Sequence, residues 1–205
     1  MTQAIFTKIT AAYTVNPRLI QQLWNEIEST YSHPKRHYHN LSHLGHLLDE
    51  LSAVEEQVQD WDILVFSVFY HDIVYNPLRR DNKERSISIA ENRLSTIDVP
   101  PEKIRACSAQ ILYTKTHEQS PDPDTNFFTD ADLSILGQEW EIYQNYSAAI
   151  RKEYALYPDM IYKPGRKNVV QQFLDMNRIF KTAYFFERYE KQARKNLQKE
   201  LEQLT

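Results

Sequence analysis

His71 and Asp72 stand side by side near the end of an apolar run, Trp61-Asp-Ile-Leu-Val-Phe-Ser-Val-Phe-Tyr-His-Asp-Ile-Val-Tyr75. Such a run reads as a buried helix. A charged pair at its end needs a neutralising partner, because an unpaired buried charge is costly. A divalent metal ion uses an imidazole and a carboxylate together. Further donors lie on either side: His39 and His43 upstream, Asp130 and Asp132 downstream.

On a helix, His39 and His43 lie on one face, one turn apart. Either both point at one ion, or one binds while the other does acid–base work. A solvated, histidine-rich helix start is the competing reading. Asp130 and Asp132 sit between Phe127, Phe128, Leu133, Ile135 and Leu136. Asp130 suits a helix cap, while Asp132 is expected to turn inward. Two histidines with one or two carboxylates suit Mn²⁺, Fe²⁺, Zn²⁺, Ni²⁺ or Mg²⁺, and the mixture does not choose among them.

The elements that must position these groups all read as helices. With only 3 glycines in 205 residues, and helix formers between the turns, the expected class is all-α. A first helix is expected after Asn16-Pro17, with Asn16 as cap and Pro17 at the first helical position. A second runs from about Asn40, with Leu41, Leu44, Leu47, Leu48, Leu51, Val54 and Val58 at helical period. The third carries His71-Asp72 and ends at Asn76-Pro77. Two more are expected over about 81–94 and from Pro100-Pro101 to Tyr113. A loop from Thr116 to Asn126 follows, then a segment closed by Gly137. A long helix is expected over about 139–157, with Pro158 and Lys163-Pro-Gly165 as punctuation. The stretch from Arg166 to Leu204 is expected to be helical with one break near Thr182. One domain is expected, with the metal-site core at about 31–137 and additional C-terminal helices at about 138–205.

The formal net charge of -4 argues against bulk electrostatic binding to nucleic acid. The lone Cys107 has no intrachain disulfide partner and fits a helical core pattern with Ile104 and Ile111 better than a nucleophile's role. No apolar stretch reaches the length of a membrane span, and the N-terminal residues do not read as a signal peptide. A cytoplasmic protein is expected.

The order of parts resembles the HD superfamily of metal-dependent phosphohydrolases: His39-Asn-Leu-Ser-His43, then His71-Asp72, then Ala131-Asp132-Leu133-Ser134. The likeness covers about residues 31–137. It is greatest to a group of small, mostly uncharacterised bacterial HD-domain proteins, through Arg36-His-Tyr-His-Asn40, His71-Asp-Ile-Val-Tyr75 and Asp130-Ala-Asp-Leu133, and extends to Gly165-Arg166 and the C-terminus. Tyr38-His39-Asn40 with His43 also resembles the start of the cyclic-nucleotide phosphodiesterase site. The resemblance implies an HD-type helical bundle. It implies His43, His71, Asp72 and Asp132 as metal ligands, His39 as general acid, and Asp72 as a group that also orients the nucleophile. The implied reaction is hydrolysis of a phosphate ester, with a nucleotide as one candidate. The superfamily also holds a two-iron oxygenase branch and members without known catalysis, so an iron oxygenase and a nucleotide- or metal-sensing module are the alternatives.

Glu84 and His117 occupy regions where two-metal members of that superfamily place extra histidines. Each is a candidate substrate-side or supporting residue. Arg36, Arg79, Arg80 and Arg166 are candidate phosphate clamps, since guanidinium matches phosphate oxygens bidentately; Arg36 and Arg166 are the preferred pair. Phe180, Tyr184, Phe185 and Tyr189 read as core or dimer contact. Leu197, Leu201 and Leu204 suggest a terminal helix that packs on something, with a second copy of the chain as one candidate.

Overall fold

Helix-forming residues fill the stretches between turns, and the chain is all-α as expected. The computed structural model describes residues 1–204; among them are ten α-helices, two 3-10 turns and no strand. The chain divides into two units, Met1–Thr129 and the part from Asp130 on, with the boundary inside one helix.

The first unit contains α1 (Thr2–Thr10), α2 (Pro17–Tyr31), α3 (Leu41–Ser52), a 3-10 turn (Glu55–Gln57), α4 (Trp61–Tyr70), α5 (Asn82–Ser95), α6 (Pro101–Tyr113) and the start of α7 (Pro123–Leu133). Helix α4 is its centre. Every residue from Ile63 to Tyr70 is buried, the mark of a helix enclosed on all sides, and α1, α3, α5 and α6 pack around it. Asn16 caps α2 by accepting from the backbone N–H groups of Arg18 and Leu19. Cys107 is fully buried, and burial pushes its thiol up to about 12. It is a core residue, too hard to ionise to serve as a nucleophile.

Several boundaries differ from expectation, among them the start of α7 at Pro123, inside the loop expected from Thr116 to Asn126, and the end at Glu153 of the long helix expected to reach about residue 157. Helix α1 precedes the helix expected to be first. It is short, but its Phe6 is fully buried and meets Phe69 edge to face at 5.1 Å. Helix α3 stops at Ser52, so Val54 and Val58 lie beyond it, flanking the 3-10 turn. Helix α4 ends at Tyr70 rather than at Asn76. The Asp72 N–H and the Phe69 carbonyl there are taken by the Tyr31 hydroxyl, which satisfies backbone groups that another turn of helix would have used.

The second unit contains the end of α7, a 3-10 turn (Ser134–Gly137), α8 (Trp140–Glu153), α9 (Asp159–Asp175) and α10 (Ala183–Gln203). Helix α10 packs on α9 and on the turn. Gly137 permits the closest approach, since a Cβ there would lie 2.5 Å from the Tyr189 Cβ and 2.8 Å from its carbonyl oxygen. Asn196 of α10 donates to the carbonyls of Leu136 and Gln138 at 2.9 and 2.7 Å. Phe180, Phe185 and Tyr189 are buried core, and so is Leu197. Lys163-Pro-Gly165 does not interrupt the chain, because α9 runs through Pro164. The carbonyl that Pro164 leaves without its helical donor belongs to Met160, which is 89% exposed, so water can satisfy it at small cost. Among the described residues no helix is long and apolar enough to cross a membrane.

Candidate metal centre

Asn40 sets the position of His43. Its side chain accepts from the N–H groups of Ser42 and His43 at 2.9 and 3.3 Å, a side-chain N-cap that fixes His43 in the first turn of α3. His43 is buried. His39 lies before the cap, so the two histidines do not share a helix face as expected. The turn nevertheless brings their rings to 5.7 Å. The His39 ring stacks on Tyr75 at 4.1 Å.

His71 is the residue that closes α4 and still has helical backbone angles. Its Nδ1 lies 2.8 Å from the Val68 carbonyl oxygen. A carbonyl only accepts, so the ring proton of neutral His71 sits on Nδ1 and Nε2 carries a lone pair. That Nε2 lies 3.4 Å from His43 Nε2 and 3.1 Å from Asp72 Oδ2. A lone pair facing a carboxylate oxygen needs either a proton or a cation between or beside them. A ring whose far nitrogen is anchored on a backbone carbonyl is also the usual arrangement of a metal-binding histidine.

Helix α7 contributes the third group. In its first-unit part, the Asp124 carboxylate accepts from the N–H groups of Gln59 and Asp60 at 2.9 and 2.8 Å, and the Phe128 ring lies 5.5 Å from that of His71. Asp132 is one turn beyond Phe128 on the same helix face. His43, His71 and Asp132 each offer a ligand atom, all within 4.8 Å of one another, a group able to hold a metal ion.

Asp72 falls outside that group of three. Its Oδ2 faces His71 and, at 3.8 Å, His39 Nε2, while its Oδ1 accepts from Lys83 Nζ at 2.8 Å. Burial pushes its carboxyl up, but Lys83, His71 and His39 together hold it well below the usual carboxylate range.

Arg36 fixes this turn from below. One of its terminal nitrogens donates to the carbonyls of His39 and Asp72 and the other to that of Ile73, at 3.1, 2.7 and 3.0 Å. The guanidinium lies over the Tyr31 ring at 4.7 Å. Its donors are thus spent on the backbone around His39, Asp72 and Ile73 and do not present an open fork. Arg166 is also committed elsewhere: in the second unit it forms a bidentate pair with Glu200 at 2.8 and 2.9 Å. Arg79 pairs with Asp81 at the surface. Glu84 is exposed and paired with Lys115. His117 lies in the turn after α6, with φ of 55°. Neither Glu84 nor His117 belongs to the three-residue metal group.

Asp130 does not cap a helix; it holds the backbone just before α10. From within α7 it accepts from the backbone N–H of Lys181 at 2.9 Å and from the N–H and hydroxyl of Thr182, both at 2.8 Å, at the start of α10. This separates the two aspartates experimentally. Asp130→Asn is expected to cost about 1–3 kcal/mol of stability, the penalty of disturbing a buried hydrogen-bond acceptor, with metal uptake changed less. Asp132→Asn is expected to show the larger loss of metal affinity. Denaturant melts and metal titrations of the two variants check this, and the opposite ranking in the titrations would exchange their roles.

Sequence reasoning missed Tyr31, Lys83 and Ser86. Ser86 Oγ accepts from the Val74 N–H at 3.1 Å, so these three side chains and Arg36 hold the turn after α4 from several sides. Lysine and serine in the polar stretch Asn82-Lys-Glu-Arg-Ser86 carry no local signal of this. The fully buried Tyr31, at the end of an amphipathic helix, was the more detectable of the three. Compared with protein-family models, with curated proteins and with solved structures, the chain matches none.

Proposed function

We propose that the chain is a metal-dependent hydrolase of a phosphate ester, of the HD type, with a nucleotide as the candidate substrate. The observation that carries this reading is the His71 ring. Its Nδ1 is anchored on a carbonyl and its Nε2 meets His43 Nε2 and Asp72 Oδ2, a cluster of ring nitrogens and a carboxylate oxygen that a cation would draw together.

His43, His71 and Asp132 would hold a divalent ion. When bound, such an ion supplies a water of lowered pKa and polarises a phosphoryl oxygen. Asp72 accepts a hydrogen bond from the attacking water and orients it. His39, with Nε2 3.8 Å from Asp72 Oδ2, donates its proton to the leaving oxygen. Arg36 keeps the carbonyls of His39, Asp72 and Ile73 fixed, so that these side chains keep their relative positions.

The test is metal analysis of the purified protein followed by a phosphatase screen over nucleotides with Mn²⁺, Fe²⁺, Zn²⁺, Ni²⁺ and Mg²⁺. Bound metal and phosphate release are expected, and His71→Ala should abolish both. It should also lower the melting temperature, since the ion binds the folded chain preferentially. Unchanged metal content in His71→Ala would refute the ligand assignment. Two bound irons with oxygen consumption and no phosphate release would replace hydrolysis with oxygenation.

A further inference from the structure

A phosphate ester is anionic, and the two preferred arginines, Arg36 and Arg166, are engaged elsewhere. Lys83 is a cation that reaches the side chains of the site. It stands in the first turn of α5, its side chain 15% exposed and that of Asp72 6% exposed. Its Nζ donates to Asp72 Oδ1 at 2.8 Å and reaches the His71 carbonyl oxygen at 3.5 Å. An ammonium has three N–H donors, so these contacts leave one for a ligand.

Charge points the same way. The carboxylates of Asp72 and Asp132 cancel a divalent ion, and neutral imidazoles add nothing. Lys83 then leaves the site with one net positive charge in a poorly solvated place, where an anion is favoured. Asp72 bridges the two halves of this arrangement: one oxygen faces the imidazoles and the other holds the ammonium.

We propose that Lys83 is the group that binds a phosphoryl oxygen of the substrate, placed by Asp72 beside the metal-binding histidines. This rests on the hydrolase reading and adds to it the residue that selects an anionic substrate. A compact ammonium at this place binds a phosphate as a point charge rather than as a fork.

The experiment measures binding of inorganic phosphate to manganese-loaded protein by calorimetry, for the wild type, Lys83→Met and Lys83→Arg. Wild-type protein should bind phosphate. Lys83→Met should bind it about 10- to 100-fold more weakly, the loss of one charge-assisted hydrogen bond, and Lys83→Arg should fall between. Because Lys83→Met leaves Asp72 without its cation, a second measurement uses the wild type alone. Lysine acetylation followed by mass spectrometry, with manganese present throughout, should show Lys83 protected on adding phosphate while surface lysines stay reactive. Unchanged phosphate affinity in Lys83→Met, or no protection of Lys83, would overturn this proposal and leave the hydrolase reading standing. Failure of the manganese-loaded wild type to bind phosphate at all would overturn both.

Discussion

Glu200→Ala is expected to cost about 3–5 kcal/mol of stability, the usual consequence of removing one partner of a buried ion pair. Glu200 lies on α10 and Arg166 on α9; their side chains are only 7% and 8% exposed. Their bidentate pair joins the two longest helices of the second unit. Tyr143 also donates its hydroxyl to Glu200, and Ser147 donates at 2.9 Å. Truncating Glu200 therefore strands a buried guanidinium and removes the acceptor of two hydroxyls. Glu200→Gln keeps an acceptor oxygen but not the charge and should fall between alanine and wild type. Urea unfolding followed by circular dichroism measures the difference. A loss below about 1 kcal/mol, typical of exposed ion pairs, would show that solvent reaches the pair.

The same pair sets a direction for pH. Burial raises the Glu200 carboxyl, but its bonds to Arg166, Tyr143 and Ser147 outweigh that and leave it below the usual value. A carboxyl depressed in the folded state binds its proton more readily when unfolded. Its contribution is thus present above the unfolded pKa and disappears as pH falls through the folded one. Acid should weaken wild-type protein by this route and Glu200→Gln less, so the gap between them should narrow at low pH.

What could be read in advance follows from how local each cause is. Asn16-Pro17 and the Asn40 cap act within a few residues, and the enclosed helix at Trp61–Tyr70 shows in an unbroken apolar run. Asp132, one turn beyond Phe128 on α7, joins His43 and His71 in a group able to hold a metal ion, but the sequence pointed to it through the resemblance and not through a helix period. The arginines could not be placed this way. Arg36 and Arg166 look alike in sequence; one is consumed by backbone carbonyls and the other by a carboxylate 34 residues away. Glu84 and Lys83 are neighbours, and about 100° of helix rotation turns one to Lys115 at the surface and the other to Asp72. Pro164 looked like a stop because proline usually is one, yet the carbonyl it disturbs is in water.

His39→Ala is expected to keep metal and lose most turnover, by about 10²–10⁴-fold in kcat. The ring is 17% exposed at the edge of the site, with Nε2 3.8 Å from Asp72 Oδ2, and it lies outside the three-residue metal group. It is thus placed to pass a proton rather than to bind the ion. The variant also loses the stack on Tyr75, which alone would slow every substrate equally. Leaving groups separate the two effects. A nitrophenyl ester departs without a proton, so its hydrolysis should fall much less than that of an alkyl or nucleoside phosphate. Equal losses across leaving groups would assign His39 a structural role. Loss of metal in step with activity would make His39 a ligand, and the proton would then have to come from elsewhere.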